Sequence, residues 1–366
     1  MIQYCIHVKN FSNQNAVTVF RWIFIRKDPL DQVVFYFLSR INFTSSRYFP
    51  LFNQNNQTRI VYLRGLPIKY SDALMLKIFR IFKRILKFRF NSYKFVHIFN
   101  SGEIYDSKYQ VLHIDDPKYD NMEISKLLKW EQVLISKNSI PIIVCTNQFT
   151  AAWLKQFLQE VKIKVIEQGY YTRNNQLTGA KHNHFCCVYS SAYIHYGRDK
   201  HANESTWGVD NLFEVIIPEL NSVDSEIFIH LIGELGNDAK IRATSLPNVI
   251  CHGRVSPIEN AYLLTQSDIA IYPRTFDHKR SILKIYSYIG AGLPVVTYDL
   301  IDTQIIKEKS LGISVNTTDE FVNSIVELKN NVDLLNHYSR RVNYIGLDYS
   351  WGTLVDKLNT ELKSFL

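Results

Sequence analysis

The sequence predicts an α/β protein made of two doubly wound parallel sheets, one after the other along the chain. Short apolar runs alternate with amphipathic helical patterns through most of the 366 residues, which is the order of βαβ units. The alternation stops once, at a polar stretch without periodicity, and then restarts. The length suits two domains of average size better than one hydrophobic core.

The first half of the chain alternates strand-like runs with helical patterns. The strands are predicted from clustered β-branched and aromatic residues, and the helices from apolar positions that recur every three or four residues. The predicted strands are QYCIHV, QVVFYF, RIVYLRG, FVHIFN, YQVLHI and PIIVCTN. The predicted helices are SDALMLKIFRIFKRIL, EISKLLKWEQVLI and FTAAWLKQFLQEV. This series predicts a first domain over residues 1–171.

A polar segment, TRNNQLTGAKHNH, follows and is predicted to be a linker over residues 172–184. Beyond it the alternation restarts, which predicts a second domain over residues 185–349. The predicted strands are FCCVYSSAYIHYG, IFIHLIG, NVICHG, DIAIYPR and PVVTYD, and the predicted helices are NLFEVIIPEL, ENAYLLTQ, SILKIYSYIG and TDEFVNSIVELKN. Residues 350–366 predict a C-terminal helix with Ser350 as its N-cap and leucines at helical spacing.

The composition, 46% hydrophobic and 21% charged, is typical of a soluble globular protein. The five cysteines are an odd number without CxxC spacing, which argues against a disulfide framework or a zinc site and favours a reducing compartment. The eleven histidines show no metal spacing. The N-terminal MIQYCIHVKNFSNQN does not resemble a secretory signal, and no later window offers about 18 uncharged apolar residues. We therefore expect a cytoplasmic location.

The net charge of +8 is most concentrated in residues 74–90, LMLKIFRIFKRILKFRF, which hold six basic residues and no acidic one. On a helix, Lys77, Arg80, Arg84 and Lys87 follow one another at three- and four-residue steps, and apolar residues occupy another side. Two interpretations stay open. The helix either packs one face on the sheet with its lysines in water, or rests on an anionic membrane surface at the inner face of the plasma membrane.

A short amphipathic helix, SILKIYSYIG, follows the predicted strand IAIYPR. Ligands of open parallel sheets bind beyond the carboxyl ends of the strands, where such helices present free N–H groups. A helix start near Ser281 places Lys284 one turn inside, so that amides and ammonium together suit a diphosphate group. Gly292 ends the helix. The alternative for Lys284 is a solvated helix lysine.

Five stretches follow one another between residues 189 and 315: TWGVDNLFEVI, IFIHLIGELG, NVICHGRVSP, SDIAIYPR and SILKIYSYIGAGLPVV. In this order they resemble the nucleotide-sugar-binding half of glycosyltransferases with the B fold (GT-B), the large group that includes bacterial glycan-building enzymes. The resemblance implies two Rossmann-like domains facing a cleft, with a C-terminal helix that crosses back to the first domain. It also implies transfer of a sugar from a nucleoside-diphosphate donor to a saccharide or lipid-linked saccharide, in bacterial surface polysaccharide biosynthesis.

The same resemblance implies the composition of the donor site. Arg280, Ser281 and Ser287 would contact the donor beside Lys284. No cofactor besides the donor and no divalent metal ion is expected, because a helix terminus and basic side chains bind the diphosphate and no DxD-type motif stands where a metal would be needed.

The sequence departs from many retaining members of the group, which carry two glutamates eight positions apart, the second five residues before the glycine matched by Gly292. Lys279 and Ser287 stand at these positions. The pattern looks more like inverting relatives such as the xanthan glucuronosyltransferase family, in which a serine and a lysine open the phosphate helix and an aspartate of the N-terminal domain acts as base. We therefore expect an inverting transfer.

Inversion needs a carboxylate that takes the proton of the acceptor hydroxyl. Asp115 and Asp116 follow the predicted strand YQVLHI, and only one of two neighbours on a strand points to a given side. Asp115 falls where relatives carry a catalytic or sugar-contacting residue, so we prefer it as base, with His113 or Glu123 as assistants. A second interpretation, in which both aspartates only form a turn, stays open.

Loops after other predicted strands supply further donor contacts by the same resemblance. Arg198 and Lys200, in YGRDKH, stand where relatives often hold the diphosphate. Gly253 and Arg254 stand where relatives grip the base through backbone groups, and Glu234 is placed to reach a hydroxyl. The alternative for each is an ordinary loop charge or a turn glycine.

Two other classes of function stay open. Sugar-nucleotide epimerases use the same two-domain fold, but they need acids and histidines around the sugar, which are only scattered here. A non-catalytic nucleic-acid binder interleaves aromatic residues with lysines on an open face, whereas the basic run 74–90 is helical with its aromatic residues on other sides. We therefore expect no nucleic-acid partner.

Overall fold

The structure, a computed structural model, describes ten segments of the chain. They are residues 2–8, 32–37, 59–62, 94–99, 109–114, 119–136, 138–170, 183–199, 208–277 and 282–363. The chain divides into two compact units, Met1–Glu167 together with Leu354–Leu366, and Gln168–Thr353. The predicted basic helix at 74–90 and most of the predicted linker lie outside the described residues.

The first unit contains a seven-stranded sheet with the order β3-β2-β1-β4-β5-β6-β7. Its strands are β1 (Ile2–Val8), β2 (Gln32–Phe37), β3 (Arg59–Tyr62), β4 (Lys94–Phe99), β5 (Tyr109–Ile114), β6 (Ile140–Cys145) and β7 (Lys162–Val165). All neighbouring strands pair in parallel. The described helices of this part are α1 (Asn121–Ser136) and α2 (Gln148–Lys155). The doubly wound order predicted from the alternation is confirmed.

The second unit contains a six-stranded parallel sheet with the order β10-β9-β8-β11-β12-β13. Its strands are β8 (Phe185–Ile194), β9 (Ile227–Leu235), β10 (Val249–Gly253), β11 (Ile269–Tyr272), β12 (Val295–Tyr298) and β13 (Gly312–Val315). The direction of winding therefore reverses between β8 and β11. In doubly wound sheets this reversal opens a crevice at the carboxyl ends of the two strands.

Helices connect the strands of the second unit. α3 consists of Val209–Asn211, the π-helical Leu212–Ile216 and Ile217–Val223. The others are α4 (Asn237–Ser245), α5 (Pro257–Gln266), α6 (Leu283–Ala291), α7 (Gln304–Lys309), α8 (Thr318–Asn330), α9 (Val332–Gly346) and α10 (Trp351–Lys363). A capping box of Ser256 and Glu259 begins α5, because each side chain bonds the other residue's N–H.

Apolar clusters cover both faces of the second sheet. Ile271 belongs to one cluster, and its neighbours Ala270 and Tyr272 belong to the other. All residues of β11 and β12 are buried. Burial on both faces explains why these strands appear in the sequence as continuous hydrophobic runs rather than as alternating patterns.

The C-terminal helix α10 starts in the second unit, and its residues from Leu354 onward belong to the first. The predicted N-cap is confirmed, since the Ser350 hydroxyl accepts a hydrogen bond from the Thr353 N–H at 3.1 Å. Leu358 is buried. Lys164 of β7 forms an ion pair of 2.5 Å with Glu361, which joins the helix to the edge of the first sheet. The predicted return of the chain is thus confirmed.

Candidate active site

The site is built where the winding of the second sheet reverses, at the carboxyl ends of β8 and β11. β11 ends at Tyr272, α6 begins at Leu283, and Lys284 is the second residue of that helix. Tyr189 of β8 and Tyr272 of β11 are fully buried beside it. A basic side chain therefore lies at the point where ligands of this fold bind.

The ammonium of Lys284 lies among aromatic rings. Its Nζ donates a hydrogen bond to the Tyr189 hydroxyl at 3.3 Å. The same atom lies 4.9 Å from the ring centre of Tyr189 and 5.9 Å from that of Tyr272. Ring faces attract cations, so these contacts hold the side chain against the sheet.

Burial, and to a smaller extent the positive charge of Arg274, lower the pKa of Lys284 from its ordinary value of 10.5 to about 7. A lysine in this state is partly neutral near pH 7, because the pocket disfavours the charged form. An anion entering the pocket would favour the ammonium. The electrostatics thus suit a negatively charged ligand.

Arg274 follows β11 and is only 1% exposed. Its Nη1 donates to the Tyr272 hydroxyl at 3.1 Å and lies 3.6 Å from Oδ2 of Asp302. Its guanidinium also lies 5.5 Å from the ring centre of Phe276. Asp302 belongs to the turn Ile301–Thr303, which follows β12. A buried ion pair therefore joins the loops after two adjacent strands.

The start of α6 differs from the predicted one. The helix begins at Leu283, two residues after Ser281, and its N-cap is Ile282. Ile282 has no side-chain oxygen, so the N-cap residue leaves the first amides of α6 to other partners. Ser281 and Arg280 lie outside the described residues. The C-terminal end agrees with prediction, since Gly292 adopts a left-handed φ of 78°.

Ser287 and Arg198 make contacts that a diphosphate role does not explain. The Ser287 hydroxyl donates to the Leu283 carbonyl of its own helix at 3.2 Å. Arg198 forms an ion pair with Asp238 at 3.1 Å, and its side chain is 92% exposed. Their donor roles stay predictions. Lys200 lies outside the described residues.

The structure brings Glu234 and Arg254 together at the ends of β9 and β10. Nη1 of Arg254 lies 3.3 Å from Oε2 of Glu234, and both side chains are exposed. Gly253, beside them, has a φ of 68°, and no described atom lies within 4 Å of the position of an added Cβ. These three residues therefore form a polar, open end of the sheet that a ligand can approach closely.

The predicted base lies beyond the described part of the chain. β5 ends at Ile114, in agreement with the predicted strand, and Asp115 and Asp116 follow outside the described residues. The same holds for the side chains of His113 and Glu123. Their roles stay predictions.

The described part of the chain contains no group of three His, Cys, Asp or Glu residues that could hold a metal ion. His230 is nearly completely buried, and its ring bonds those of His184 at 3.2 Å and His252 at 3.1 Å.

Among the described helices, none combines the length and the apolar character that crossing a membrane requires.

Residues 193–331 match the family model described as Glycosyl transferases group 1. This segment runs from the end of β8 to the end of α8, so it includes Lys284, Arg274 and the pair of Glu234 and Arg254. No curated protein sequence matches the chain.

Solved structures of glycosyltransferases share the fold of the whole chain. A glycosyltransferase from Rickettsia africae is 12% identical with a TM-score of 0.68, over 99% of this chain and 97% of that chain. HepE from Anabaena, in complex with UDP-glucose, is 14% identical with a TM-score of 0.64, over 100% of both chains. Sucrose-phosphate synthase from Thermosynechococcus elongatus is 11% identical with a TM-score of 0.60, over 100% of this chain and 99% of that chain. The chain thus has the GT-B fold of these solved structures, and residues 193–331 of its second unit match the model of the Glycosyl transferases group 1 family.

Proposed function

We propose that the protein transfers a sugar from a nucleoside-diphosphate sugar, whose pyrophosphate binds at Lys284 and the first amides of α6. The observation that carries this proposal is the partly buried ammonium at the carboxyl ends of β8 and β11, inside the segment that matches the family model. A cation in the first turn of a helix, where free N–H groups also lie, favours an anion. HepE, of the same fold, is solved with UDP-glucose.

Lys284 also suits the chemistry of the leaving group. As the bond between the anomeric carbon and the pyrophosphate oxygen breaks, negative charge accumulates on that oxygen. A fixed ammonium in a pocket of low dielectric stabilises this charge more than water does. Such catalysis would account for a partly buried lysine at this position, although its desolvation is unfavourable.

The remaining donor contacts lie at neighbouring strand ends. The open space at Gly253 permits a backbone group to approach the base, and Glu234 and Arg254 supply a carboxylate and a guanidinium for hydroxyl groups. Arg198 is joined to Asp238 but is exposed, so it remains accessible to a diphosphate. Arg280, Ser281 and Lys200 complete the proposed set.

For the transfer step, we assign the base to Asp115. The acceptor oxygen attacks the anomeric carbon opposite the leaving nucleoside diphosphate, and the hydroxyl proton passes to the carboxylate. This geometry inverts the configuration at the anomeric carbon. Its support is indirect: positions 279 and 287, where retaining relatives carry glutamates, are a lysine and a serine.

The proposed acceptor is a saccharide or a lipid-linked saccharide of bacterial surface polysaccharide synthesis. Its support is the basic run at 74–90, which would attract an anionic membrane surface where lipid-linked acceptors are presented. A cytoplasmic protein that binds the inner face of the plasma membrane peripherally is consistent with this acceptor.

A thermal-shift experiment with UDP-, GDP- and dTDP-sugars tests the donor class. We expect one nucleotide series to raise Tm in the wild type, with slow release of free nucleoside diphosphate in the absence of an acceptor. Lys284→Ala should lose the shift, whereas Lys240→Ala, at an exposed position of α4, should keep it. Conversion of the sugar without nucleotide release would indicate an epimerase. Protection by oligonucleotides but by no nucleotide sugar would indicate a nucleic-acid binder.

A further inference from the structure

Glu234 and Arg254 form an exposed ion pair at the ends of two neighbouring strands. Glu234 is the last but one residue of β9, and Arg254 follows β10 directly. Nη1 of Arg254 lies 3.3 Å from Oε2 of Glu234, and the two side chains are 57% and 50% exposed. Neither side chain forms another hydrogen bond with the described part of the chain. Most of the donors of the guanidinium and of the acceptor positions of the carboxylate therefore face solvent.

The order of the strands places this pair within reach of a nucleoside diphosphate. Lys284 contacts Tyr189 of β8, and β9 and β10 are the next two strands of the sheet. Parallel strands lie about 4.8 Å apart, so the pair lies about 5 to 10 Å across the sheet from the end of β8. A ribose separates the base from the diphosphate by a distance of this order. A donor whose pyrophosphate binds at Lys284 therefore brings its base to the pair.

Tyr193 gives the pair an aromatic neighbour. Tyr193 of β8 and Glu234 of β9 are partners in the register of the two strands, so their side chains leave the same face of the sheet. The tyrosine is 45% exposed. A ring beside a carboxylate and a guanidinium suits a planar heterocycle, because bases stack on aromatic side chains.

Gly253 leaves room for such a ring. It is the last residue of β10, directly before Arg254, and no described atom lies within 4 Å of the position of an added Cβ. A planar ligand can therefore approach the end of the strand closely while its edge meets the ion pair.

The chemistry of the pair distinguishes between bases. Guanine presents the donors N2–H and N1–H and the acceptor O6 along one edge. A carboxylate accepts from both donors, and a guanidinium beside it donates to O6. The single N3–H of uracil lies between two carbonyl oxygens, which a carboxylate repels. Adenine and cytosine each offer one amino group beside a ring acceptor, so the carboxylate again meets a repulsive neighbour.

We propose that Glu234 and Arg254 bind the base of the donor and select guanine, so that the protein uses guanosine-diphosphate sugars. The inference rests on the proposed function, which supplies the position of the pyrophosphate. It deepens that function, because it identifies the class of donor and assigns the ion pair to the base rather than to hydroxyl groups. HepE is solved with UDP-glucose, but an identity of 14% carries the fold and not the choice of base.

Titration calorimetry of the full chain with GDP, UDP and ADP tests the selection. GDP should bind the wild type about 10-fold or more tighter than UDP and ADP, the effect of at least one additional hydrogen bond to a charged group. Glu234→Gln keeps the size of the side chain and should weaken GDP by a similar factor without weakening UDP. Glu308→Gln, at an exposed position of α7, is the matched control and should bind all three nucleotides as the wild type does.

Inosine diphosphate, which lacks the N2 amino group of GDP, identifies the contact itself. It should bind the wild type about 10-fold more weakly than GDP, and this difference should shrink in Glu234→Gln. The unfolding temperatures without ligand show that the variants are folded. Since both replaced side chains are exposed, we expect these temperatures to stay close to that of the wild type.

The outcomes separate this inference from the proposed function. Tighter binding of UDP or ADP than of GDP by the wild type overturns the selection of guanine and leaves a nucleotide-sugar transferase standing. An equal loss of GDP and UDP affinity in Glu234→Gln also overturns it, because the carboxylate would then contact a part common to both nucleotides, such as the ribose. Binding of no nucleotide by the wild type contradicts the proposed function together with the inference.

Discussion

Nη1 of Arg274 lies 3.6 Å from Oδ2 of Asp302, and the two side chains are 1% and 0% exposed. A buried pair contributes little net stability compared with apolar residues, because both charges lose their hydration. Removal of one partner is more damaging, since it leaves the other charge buried alone. The pair joins Arg274, which follows β11, to the turn after β12.

Arg274→Met should therefore lower the free energy of unfolding by about 3 to 5 kcal/mol. A second replacement, Asp302→Leu, in the same chain should recover most of this loss, because it removes the isolated carboxylate. Urea unfolding of the two single variants and the double variant gives the coupling energy. Additive effects of the two replacements would show that the ion pair is not formed in solution.

Lys284→Met should weaken donor binding by about 10- to 150-fold, the equivalent of about 1.5 to 3 kcal/mol for a hydrogen bond to a charged group.

The variant should nevertheless be more stable than the wild type near pH 7. The folded pKa of Lys284, about 7, lies below its ordinary value of 10.5. Between these values the unfolded chain binds more protons, so the wild type loses stability as the pH falls from 10.5 towards 7.

The measurement is Tm against pH for both proteins without ligand. The wild-type curve should show the steeper rise between neutral and alkaline pH, and Lys240→Met should reproduce the wild-type slope because Lys240 is exposed. Parallel curves for wild type and Lys284→Met would place the folded pKa near its ordinary value and remove the electrostatic basis of the site.

The fold of the second unit could be predicted from the sequence because its central strands are buried on both faces. Continuous apolar runs such as those of β11 and β12 leave a clear signal. β13, Gly312–Val315, was missed: it is short, and glycine and serine weaken its strand pattern. α9, Val332–Gly346, was also missed; it follows α8 directly, and only two of its residues, Val342 and Gly346, are buried.

Within the site, the sequence indicated single residues and not their partners. Lys284 could be found from its place at a helix start after a strand. Its contacts with Tyr189 and the ion pair of Arg274 and Asp302 join residues far apart in the chain, so no local pattern encodes them. An arginine directly after the apolar strand IAIY, at a carboxyl end of the sheet, was the available signal for Arg274. The helix start was placed too early because Ser281 resembles an N-cap.

Asp115→Asn should lower kcat by about 10² to 10⁴, the usual contribution of a positioned general base. Donor affinity should stay within about twofold of the wild type, because the amide keeps the size of the carboxylate and the residue is expected to contact the acceptor. Asp116→Asn is the matched control and should retain most of the turnover. Activity and donor affinity are measured separately for each variant. A larger loss in Asp116→Asn would transfer the role of base to that residue.

Asp199 should stabilise the second unit through the N-terminus of α4. Its Oδ1 accepts from the Asp238 N–H at 2.9 Å, and its Oδ2 accepts from the N–H groups of Ala239 and Tyr196 at 3.1 Å. Asp199→Ala should lower the free energy of unfolding by about 1 to 2 kcal/mol. Arg198→Ala, at the adjacent exposed position, should change it by less than about 0.5 kcal/mol. Equal losses of unfolding free energy for Asp199→Ala and Arg198→Ala, measured by chemical unfolding, would argue against a capping role of Asp199.

Gly208 should be required where the loop before α3 meets the loop after β11. A Cβ at Gly208 would lie 2.1 Å from the carbonyl oxygen of Pro273, directly before Arg274. Gly253 has a similar φ, 68° against 73°, but no described atom near an added Cβ. Both Gly→Ala variants therefore share the strain of a left-handed backbone, about 1 to 2 kcal/mol, and differ in the steric clash. We expect a clearly larger loss of Tm for Gly208→Ala than for Gly253→Ala, since the backbone atoms directly before Arg274 must move. Similar losses of Tm in the two variants would show that the loops separate in solution.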